Sequence, residues 1–158
     1  MKVMNLKILK VHERDLPEIL DLQKRAYQEN ALRYNDPKIA PLTQTLDELI
    51  EESKSYIILK AKDGEKIVGS VRGCKKEDYC YISRLFVHPD YQNRGIGRQL
   101  MASIEKEFDT LKFKLAAGHL DEKNISLYTK LGYKVCGKEK ISDTFCFIHM
   151  EKKMNVLK

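Results

Sequence analysis

The spacing of apolar residues at the start of the chain predicts a strand followed by a helix. Residues 3–11 alternate loosely between apolar and polar side chains, as in a half-buried strand. Residues 15–18, DLPE, resemble a capping box with proline in the first turn, and apolar side chains follow at helical spacing. Together these signals predict a helix over residues 15–29.

The next segment has no clear period until a second helix begins. Residues 30–44, NALRYNDPKIAPLTQ, contain two prolines and are predicted to form a long loop, a kind of segment that is often functional. Thr45 and Glu48 then have the spacing of a capping box. This spacing predicts a short helix that ends near Ser53.

Three runs rich in β-forming residues follow, at residues 56–60, 66–73 and 79–87. Asp63 and Gly64 lie between the first two runs and are a strong hairpin signal, so these strands should be antiparallel. Together with the first strand, the three runs predict an antiparallel front half of a sheet.

Two helices are predicted in the second half of the chain. Apolar residues from Ile96 to Phe108 recur at intervals of four, which is typical of one buried helix face. A second helix is predicted over residues 121–131, and Gly132 has the position of a glycine that ends a helix.

Strands alternate with these helices. Because a helix connects the run at 79–87 to a strand at 112–117, those two strands should be parallel. Two last strands are predicted at residues 133–137 and 144–151. The predicted fold class is therefore α/β, with a mixed, mostly antiparallel sheet flanked by helices.

Length and composition indicate an ordinary globular chain. Its 158 residues suggest a single domain over residues 1–158, since a chain of this length can bury a core without disulfides or metals. No apolar run approaches the roughly 18 residues of a membrane span and no signal peptide is evident, so we expect a cytoplasmic protein without membrane contact. The four cysteines lack zinc-like spacing, which favours structural thiols over a metal site.

The net charge of +6 favours an anionic partner without naming it. Nucleic acid, an acidic protein and a phosphorylated cofactor all satisfy that condition. The basic residues are spread along the chain and form no separate arm, which argues against nucleic acid.

The stretch YQNRGIGRQL, residues 91–100, has the composition of a phosphate-binding turn at a helix start. The first N–H groups of a helix have no partner within it and, with the helix dipole, favour an anion. Gly95 and Gly97 leave room for close backbone approach, while Arg94 and Arg98 add charge. The third glycine of a dinucleotide fingerprint and the Gly-Lys-Ser/Thr of a P-loop are both missing, which disfavours those two ligands.

Two motifs resemble the signatures of the GCN5-related N-acetyltransferase (GNAT) family. Residues 85–101, LFVHPDYQNRGIGRQLM, contain the family's V-x-P followed by Q/R-x-x-G-x-G/A at a helix start. Residues 124–135, NISLYTKLGYKV, contain its Asn, its Tyr four residues later and its Gly-Tyr pair. The motifs come in the family's order, as do the predicted elements. The resemblance implies a GNAT fold, in which a central parallel pair of strands splays apart, and an N-acetyltransferase that uses acetyl-CoA.

The resemblance also implies where acetyl-CoA binds. Residues at the end of the splayed strand would offer backbone groups to the pantetheine arm and the acetyl carbonyl, and the turn that follows would hold the pyrophosphate. Asn124 would bond to the cofactor arm and Tyr128 would lie near its sulfur. The implied cofactor-binding residues are Leu85, Phe86, Val87, Gln92, Asn93, Arg94, Gly95, Ile96, Gly97, Arg98, Asn124 and Tyr128.

Tyr128 is implied as the general acid. An amine attacks the thioester and a thiolate departs, and a tyrosine with a pKa of about 10 can protonate an alkyl thiolate, whose thiol has a pKa of about 8.5. The alternative role for Tyr128 is packing on an amphipathic helix. The base is left open, since the strand at 79–87 contains no carboxylate, and His119 and a water chain to solvent are both alternatives.

Acceptor specificity in the family comes mainly from the first helices and their loop, which implies Tyr27, Glu29 and Tyr34 as acceptor-binding residues. A small amine, an amino acid, an antibiotic and a protein N-terminus all stay open as acceptors. The alternative function is a non-catalytic CoA-binding sensor with the same fold. Family members are often homodimers, and the apolar residues 144–150 are a possible contact between copies.

Overall fold

The computed structural model describes residues 4–155, in which seven strands form one sheet and six helices lie on its faces. In chain order the elements are β1 Leu6–Lys10, α1 Leu16–Ala26, α2 Gln28–Tyr34, α3 Ala40–Thr43, α4 Leu46–Ser53, β2 Ile57–Asp63, β3 Lys66–Lys75, β4 Cys80–Val87, α5 Ile96–Lys106, β5 Lys112–Gly118, α6 Glu122–Lys130, β6 Lys134–Lys140 and β7 Cys146–Lys153. Residue 3, the start of the first predicted strand, lies outside the described residues.

The strand order in the sheet is β1-β2-β3-β4-β5-β7-β6. Neighbouring strands are antiparallel except β4 and β5, which are parallel as the helical crossover between them predicted. The predicted hairpin between β2 and β3 is confirmed, with Gly64 in the turn at φ 61°. The mixed, mostly antiparallel α/β sheet is therefore as predicted.

Helices cover both faces of the sheet. The apolar stripe of α5, with Ile96, Leu100 and Ile104, packs on one face in a cluster that also contains Tyr128 of α6. Apolar residues of α1 and α4 pack on the other face. Within residues 4–155, none of the helices has the length and apolar character needed to cross a bilayer.

The prediction of a long loop over residues 30–44 is wrong, and so is the prediction of an unbroken helix over 15–29. The first helix ends at Ala26, and α2 and α3 occupy much of the predicted loop. Both helices are too short for their apolar spacing to be distinctive, since α2 buries only two of its residues. Pro41 lies in the first turn of α3, where proline costs no hydrogen bond, so it marks a helix start and not a break.

The predicted capping box at residues 15–18 is also wrong. The Asp15 carboxylate makes no cap bond to α1. It accepts hydrogen bonds from the backbone N–H of His12 at 2.7 Å and from Lys60 Nζ at 2.6 Å. By contrast, Thr45 and Glu48 form the predicted capping box of α4, at 3.1 and 2.8 Å.

The apolar segment 144–150 forms much of β7, which is hydrogen-bonded to β5 on one side and to β6 on the other. Its edges are therefore closed to pairing with a second copy. The homodimer stays a prediction.

A buried polar network joins α1 and α4 to the sheet. Arg72 on β3 is fully buried and pairs with Glu52 at 3.1 Å. It also donates to the side-chain oxygens of Gln23 and Gln44. Burial lowers the pKa of Arg72 below its usual range, and the Glu52 carboxylate opposes that effect. The network therefore depends on Glu52 to keep a guanidinium charge under two helices.

We expect Glu52→Ala to lower the free energy of unfolding by about 2–3 kcal/mol, because Arg72 would keep a buried charge without its carboxylate. The control is Glu51→Ala on the same helix. Within residues 4–155, Glu51 forms an ion pair with Lys54 alone, and both side chains are well exposed, so its loss should change the free energy by less than about 0.5 kcal/mol. Urea titration measures both variants, and equal effects would contradict this account of the network.

Candidate functional site

The parallel strands β4 and β5 pair only at their beginnings. Cys80 pairs with Phe113 and Tyr81 with Lys114, and no later pair joins the two strands in the described part of the chain. Further along, β4 pairs with β3 and β5 pairs with β7. The sheet therefore opens between β4 and β5, where backbone groups on the facing edges have no partner strand.

A β-bulge in β4 lies beside this opening. Ser83 pairs with Arg72 and Phe86 with Ser70, so Arg84 and Leu85 together lie opposite one residue of β3. Arg84 has a φ of 51°, in the left-handed region that an arginine rarely adopts. A bulge bends its strand and redirects the side chains beside it, which is why bulges are frequent next to functional sites.

The turn between β4 and α5 presents backbone groups at the helix start. Asn93 and Gly95 have φ values of 64° and 81°, which curve the chain into the first turn of α5. His88 is buried at the beginning of the turn, where its Nδ1 accepts the N–H of Asp90 at 3.0 Å. Burial lowers the pKa of His88, and the Lys66 and Arg25 charges lower it further, so the imidazole is neutral at pH 7. A neutral ring can keep this acceptor role.

A cavity of about 640 Å³ extends from this turn along β4 to α1 and α2. Its wall combines the end of β4 and the turn after it with residues from four helices, α1, α2, α5 and α6. The lining residues are Ala26, Tyr27, Glu29, Asn30, Arg33, Leu85, Phe86, Val87, Tyr91, Gln92, Asn93, Gly95, Ile96, Gly97, Arg98, Asp121, Lys123, Asn124, Ser126, Leu127 and Lys130.

Most of the residues singled out in the sequence lie in this wall. Of the implied cofactor-binding residues, all except Arg94 and Tyr128 line the cavity. The Arg94 guanidinium packs 5.0 Å from the centre of the Tyr91 ring. Of the implied acceptor residues, Tyr27 and Glu29 line the cavity, whereas Tyr34 is buried and its hydroxyl accepts the N–H of Leu120 at 2.9 Å.

Tyr128 on α6 does not line the cavity and is only 6% exposed. Its ring centre is 6.0 Å from that of Tyr133. Burial raises the pKa of Tyr128 well above its ordinary value, and Tyr27, Asp121 and Tyr81 raise it further. Among the described residues its hydroxyl has no hydrogen-bond partner. The side chain is therefore a neutral phenol with a free donor.

Two lysines of the wall were not predicted from the sequence. Lys123 and Lys130 are on α6, and Lys123 Nζ donates to Gln92 Oε1 at 3.2 Å, which joins α6 to the glycine-rich turn. Lys123 directly precedes Asn124 of the second motif and Lys130 lies two helical turns later, so both are on one face of α6, and this spacing is the signal that could have indicated them. They add two cations to Arg98 on the same wall.

Asp121 also lines the cavity and was not predicted as a site residue. Its carboxylate caps α6 by accepting the N–H of Asn124 at 3.4 Å and also accepts Asn124 Nδ2 at 3.1 Å. Burial raises the pKa of this carboxyl above its ordinary value. In the sequence, Asp121 has the appearance of an ordinary helix cap. His119, the base considered from the sequence, does not line the cavity, and its Nδ1 accepts the N–H of Cys146 at 3.0 Å.

The geometry can be compared with known proteins. A model of the acetyltransferase (GNAT) domain matches residues 23–154, which is most of the chain. The chain belongs to the GNAT acetyltransferase family. As a member it is an N-acetyltransferase whose co-substrate is acetyl-CoA, as the two motifs predicted.

Individual relatives agree with this assignment. YjcF of Bacillus subtilis (strain 168), an uncharacterized N-acetyltransferase, is 29% identical over 106 residues, which are 65% of this chain and 71% of YjcF. The PaiA N-acetyltransferase of Thermoplasma acidophilum, solved with coenzyme A, has a TM-score of 0.72 at 20% identity, covering 95% of this chain and 99% of that one. YncA of Salmonella typhimurium, solved with acetyl-CoA, has a TM-score of 0.74 at 16% identity, covering 95% and 94%. The two structures share the GNAT fold with this chain.

The residues present fit acetyl-CoA on structural grounds. A Cβ built on Gly95 meets no atom within 4 Å, so the turn leaves space for a ligand against its backbone. The start of α5 offers unpaired N–H groups, and Arg98, Lys123 and Lys130 supply positive charge around them. Along β4 the wall becomes apolar, with Leu85, Phe86 and Val87, which suits the thin arm that carries the thioester.

Proposed function

We propose that the chain acetylates a primary amine bound between α1, α2 and the opening of the sheet, by direct attack of the amine on the thioester. One observation carries this proposal: a single cavity joins the anion-binding turn at the start of α5 to Tyr27 and Glu29 of the first helices. Acetyl-CoA and the amine would therefore bind next to each other along β4. Acetyl-CoA supplies the activated acyl group when it is bound.

Backbone groups of β4 are assigned to the reacting carbonyl. After Tyr81, no strand of the described chain pairs with the edge of β4 that faces β5, so N–H groups on that edge are available as fixed donors. Fixed donors that point at a developing negative charge contribute strongly to rate enhancement in acyl transfer. This role needs no side chain, which suits an apolar wall of Leu85, Phe86 and Val87.

Asp121 is assigned as the proton acceptor for the amine. It lies in the cavity wall, and its carboxylate is close enough to Tyr27 and Tyr128 to raise the pKa of each phenol, to which burial contributes most. Burial raises the pKa of Asp121 itself, which makes the carboxylate a stronger base than an exposed one. Glu29 also lines the cavity, but it pairs with Arg33 at 3.4 Å.

We expect Asp121→Asn to lower kcat by at least 100-fold, within the usual range for a lost proton acceptor, with acetyl-CoA affinity unchanged. Asparagine caps a helix as well as aspartate does, so the melting temperature should stay close to that of the wild type. Below its pKa the carboxyl carries a proton and cannot accept another. The wild-type kcat should therefore fall on the acid side, at a pH above the ordinary carboxyl pKa of 3.8, since burial raises the pKa of Asp121.

The control for this prediction is Glu29→Gln, which removes the other carboxylate of the wall. It should change kcat by less than about threefold if proton transfer uses Asp121 alone. Equal losses in both variants, or an Asp121→Asn enzyme with full turnover, would remove Asp121 from the mechanism.

The proposed function is tested by thiol release from acetyl-CoA against amines, amino acids and short peptides. Amine-dependent release, with the acetylated product identified by mass spectrometry, supports it. Acetyl-CoA binding without any transfer would favour the alternative of a CoA-binding sensor. Strong, salt-sensitive binding of DNA or RNA would instead point to the nucleic-acid role that the charge distribution disfavours.

A further inference from the structure

Arg84 has no hydrogen-bond or ion-pair partner in the part of the chain that the structure describes. Among residues 4–155, no carboxylate, carbonyl or hydroxyl accepts a hydrogen bond from its guanidinium, and its Nε is buried without a partner. The rest of the side chain is partly exposed. A guanidinium that is desolvated at one end and accessible at the other is costly to leave unpaired, because buried donors normally find acceptors.

Arg84 lies next to the cavity wall along β4. It is the bulged residue of β4, immediately before Leu85 and Phe86 in the cavity wall. Arg84 itself does not line the cavity, but it directly precedes the apolar wall that runs from Leu85 to Val87 toward the glycine-rich turn. A left-handed backbone at a residue other than glycine costs energy and persists where the surroundings impose it, most often at functional sites.

The surroundings of Arg84 are aromatic and positively charged. Burial raises the pKa of Tyr27 and of Tyr81, and the Arg84 guanidinium opposes both shifts, which places its charge beside these two phenols. Burial lowers the pKa of Arg72, whose guanidinium already pairs with Glu52, and the Arg84 guanidinium lowers it further. Tyr27 lines the cavity and packs edge-on against Phe86, with ring centres 6.0 Å apart. None of the ion pairs among the described residues includes Arg84.

We propose that Arg84 binds a carboxylate on the acceptor, so that the enzyme acetylates the amino group of a small amino acid or a similar amino-carboxylate. The proposal rests on the proposed function and names the substrate class of the same site. Guanidinium and carboxylate match as a planar bidentate pair, and two tyrosines beside them offer further donors. Asp121 and Glu29 lie in the wall of the same cavity, where a cationic amino group finds opposite charge before it loses its proton. The acceptor therefore carries charges of both signs.

The first experiment compares amines that differ only in the carboxylate. Thiol release by the full chain is measured with amino acids and their carboxamides in matched pairs, such as glycine with glycinamide and β-alanine with β-alaninamide. The carboxamide has the less basic amino group, so a larger fraction of it is deprotonated and able to attack at neutral pH. Without a site for the carboxylate, the carboxamide should therefore be the better acceptor. We expect kcat/KM to be at least tenfold higher for the acids. Aminomethylphosphonate is the third arm, and a preference for it over every carboxylate would overturn the choice of anion.

The second experiment uses Arg84→Gly, because glycine adopts a φ of 51° without strain and the bulge should keep its shape. We expect this variant to lose the preference for acids over amides by at least tenfold and to keep its kcat/KM for the amides. Arg84→Asn, another residue that tolerates the left-handed region, repeats the test if the glycine variant is unstable. Arg14→Gly removes an exposed arginine elsewhere and should leave the preference intact.

The outcomes separate this proposal from the proposed function. Equal kcat/KM for acids and amides in the wild type, or an unchanged preference in Arg84→Gly, overturns the role of Arg84 while acetyl transfer stands. If no amine in the panel is acetylated, calorimetry measures the binding of N-acetylglycine in the presence of coenzyme A, which tests the carboxylate site without turnover. Binding that requires both the carboxylate and Arg84 supports the site, and equal binding of N-acetylglycinamide overturns it.

Discussion

Gly97→Glu should raise the Kd of acetyl-CoA by at least about 100-fold, roughly 2.7 kcal/mol. Gly97 lies in the first turn of α5 and lines the cavity beside Gly95 and Arg98. A glutamate there would direct a carboxylate into the place that the helix start and the surrounding cations offer to phosphate. Isothermal calorimetry measures the affinity directly, without dependence on the identity of the acceptor.

The control is Gly97→Ala. A Cβ at this position would meet Leu127 Cδ2 at 3.4 Å and Leu85 Cδ2 at 4.0 Å, which are ordinary contacts, so a methyl group fits. The alanine variant should bind acetyl-CoA with a Kd within about threefold of the wild type. Glutamate in the first turn is favourable for a helix, so the glutamate variant should remain folded. Retained affinity in Gly97→Glu would show that the cofactor phosphates bind elsewhere.

Features with strong local signals were predictable from the sequence. The hairpin at Gly64 and the cap at Thr45 each depend on a few neighbouring residues, and both are present. The parallel pair β4 and β5 follows from the helix between them. The glycine-rich turn was recognisable because phosphate binding needs small residues and cations at a helix start, a requirement that is local in the chain.

Features that depend on tertiary contacts could not be predicted. Asp15 has the spacing of a cap, but its carboxylate pairs with Lys60 on a neighbouring strand. The importance of Arg84 comes from the bulge and from the absence of an acceptor in the described surroundings, and neither is visible in the letters YISRLFV. Asp121 likewise becomes a candidate base only when α6 places it in the wall of a cavity shared with α1 and α2. These assignments need distances between residues that are far apart in the chain.

Tyr128→Phe should lower kcat by about 100-fold and leave the Kd of acetyl-CoA unchanged, if the phenol serves the departing sulfur. Its hydroxyl has no partner among the described residues, so phenylalanine would leave no buried group unsatisfied and should not destabilise the fold. The control is Tyr133→Phe, since the Tyr133 hydroxyl donates to Glu105 at 2.7 Å. That variant should lose about 1 kcal/mol of stability and keep its turnover.

The raised pKa of Tyr128 limits how this residue can assist the departure of the thiolate. Burial makes the phenol a weaker acid than free tyrosine, so full transfer of its proton to a thiolate is less favourable than the ordinary pKa values of about 10 and 8.5 suggest. A hydrogen bond from the neutral phenol to the sulfur costs no such ionisation and stabilises the developing charge. Because the phenol keeps its proton, kcat with saturating acceptor should not fall between pH 8 and about 10 through ionisation of Tyr128. A fall in that range that disappears in Tyr128→Phe would show that Tyr128 ionises, whereas unchanged turnover in Tyr128→Phe would reduce it to a packing residue.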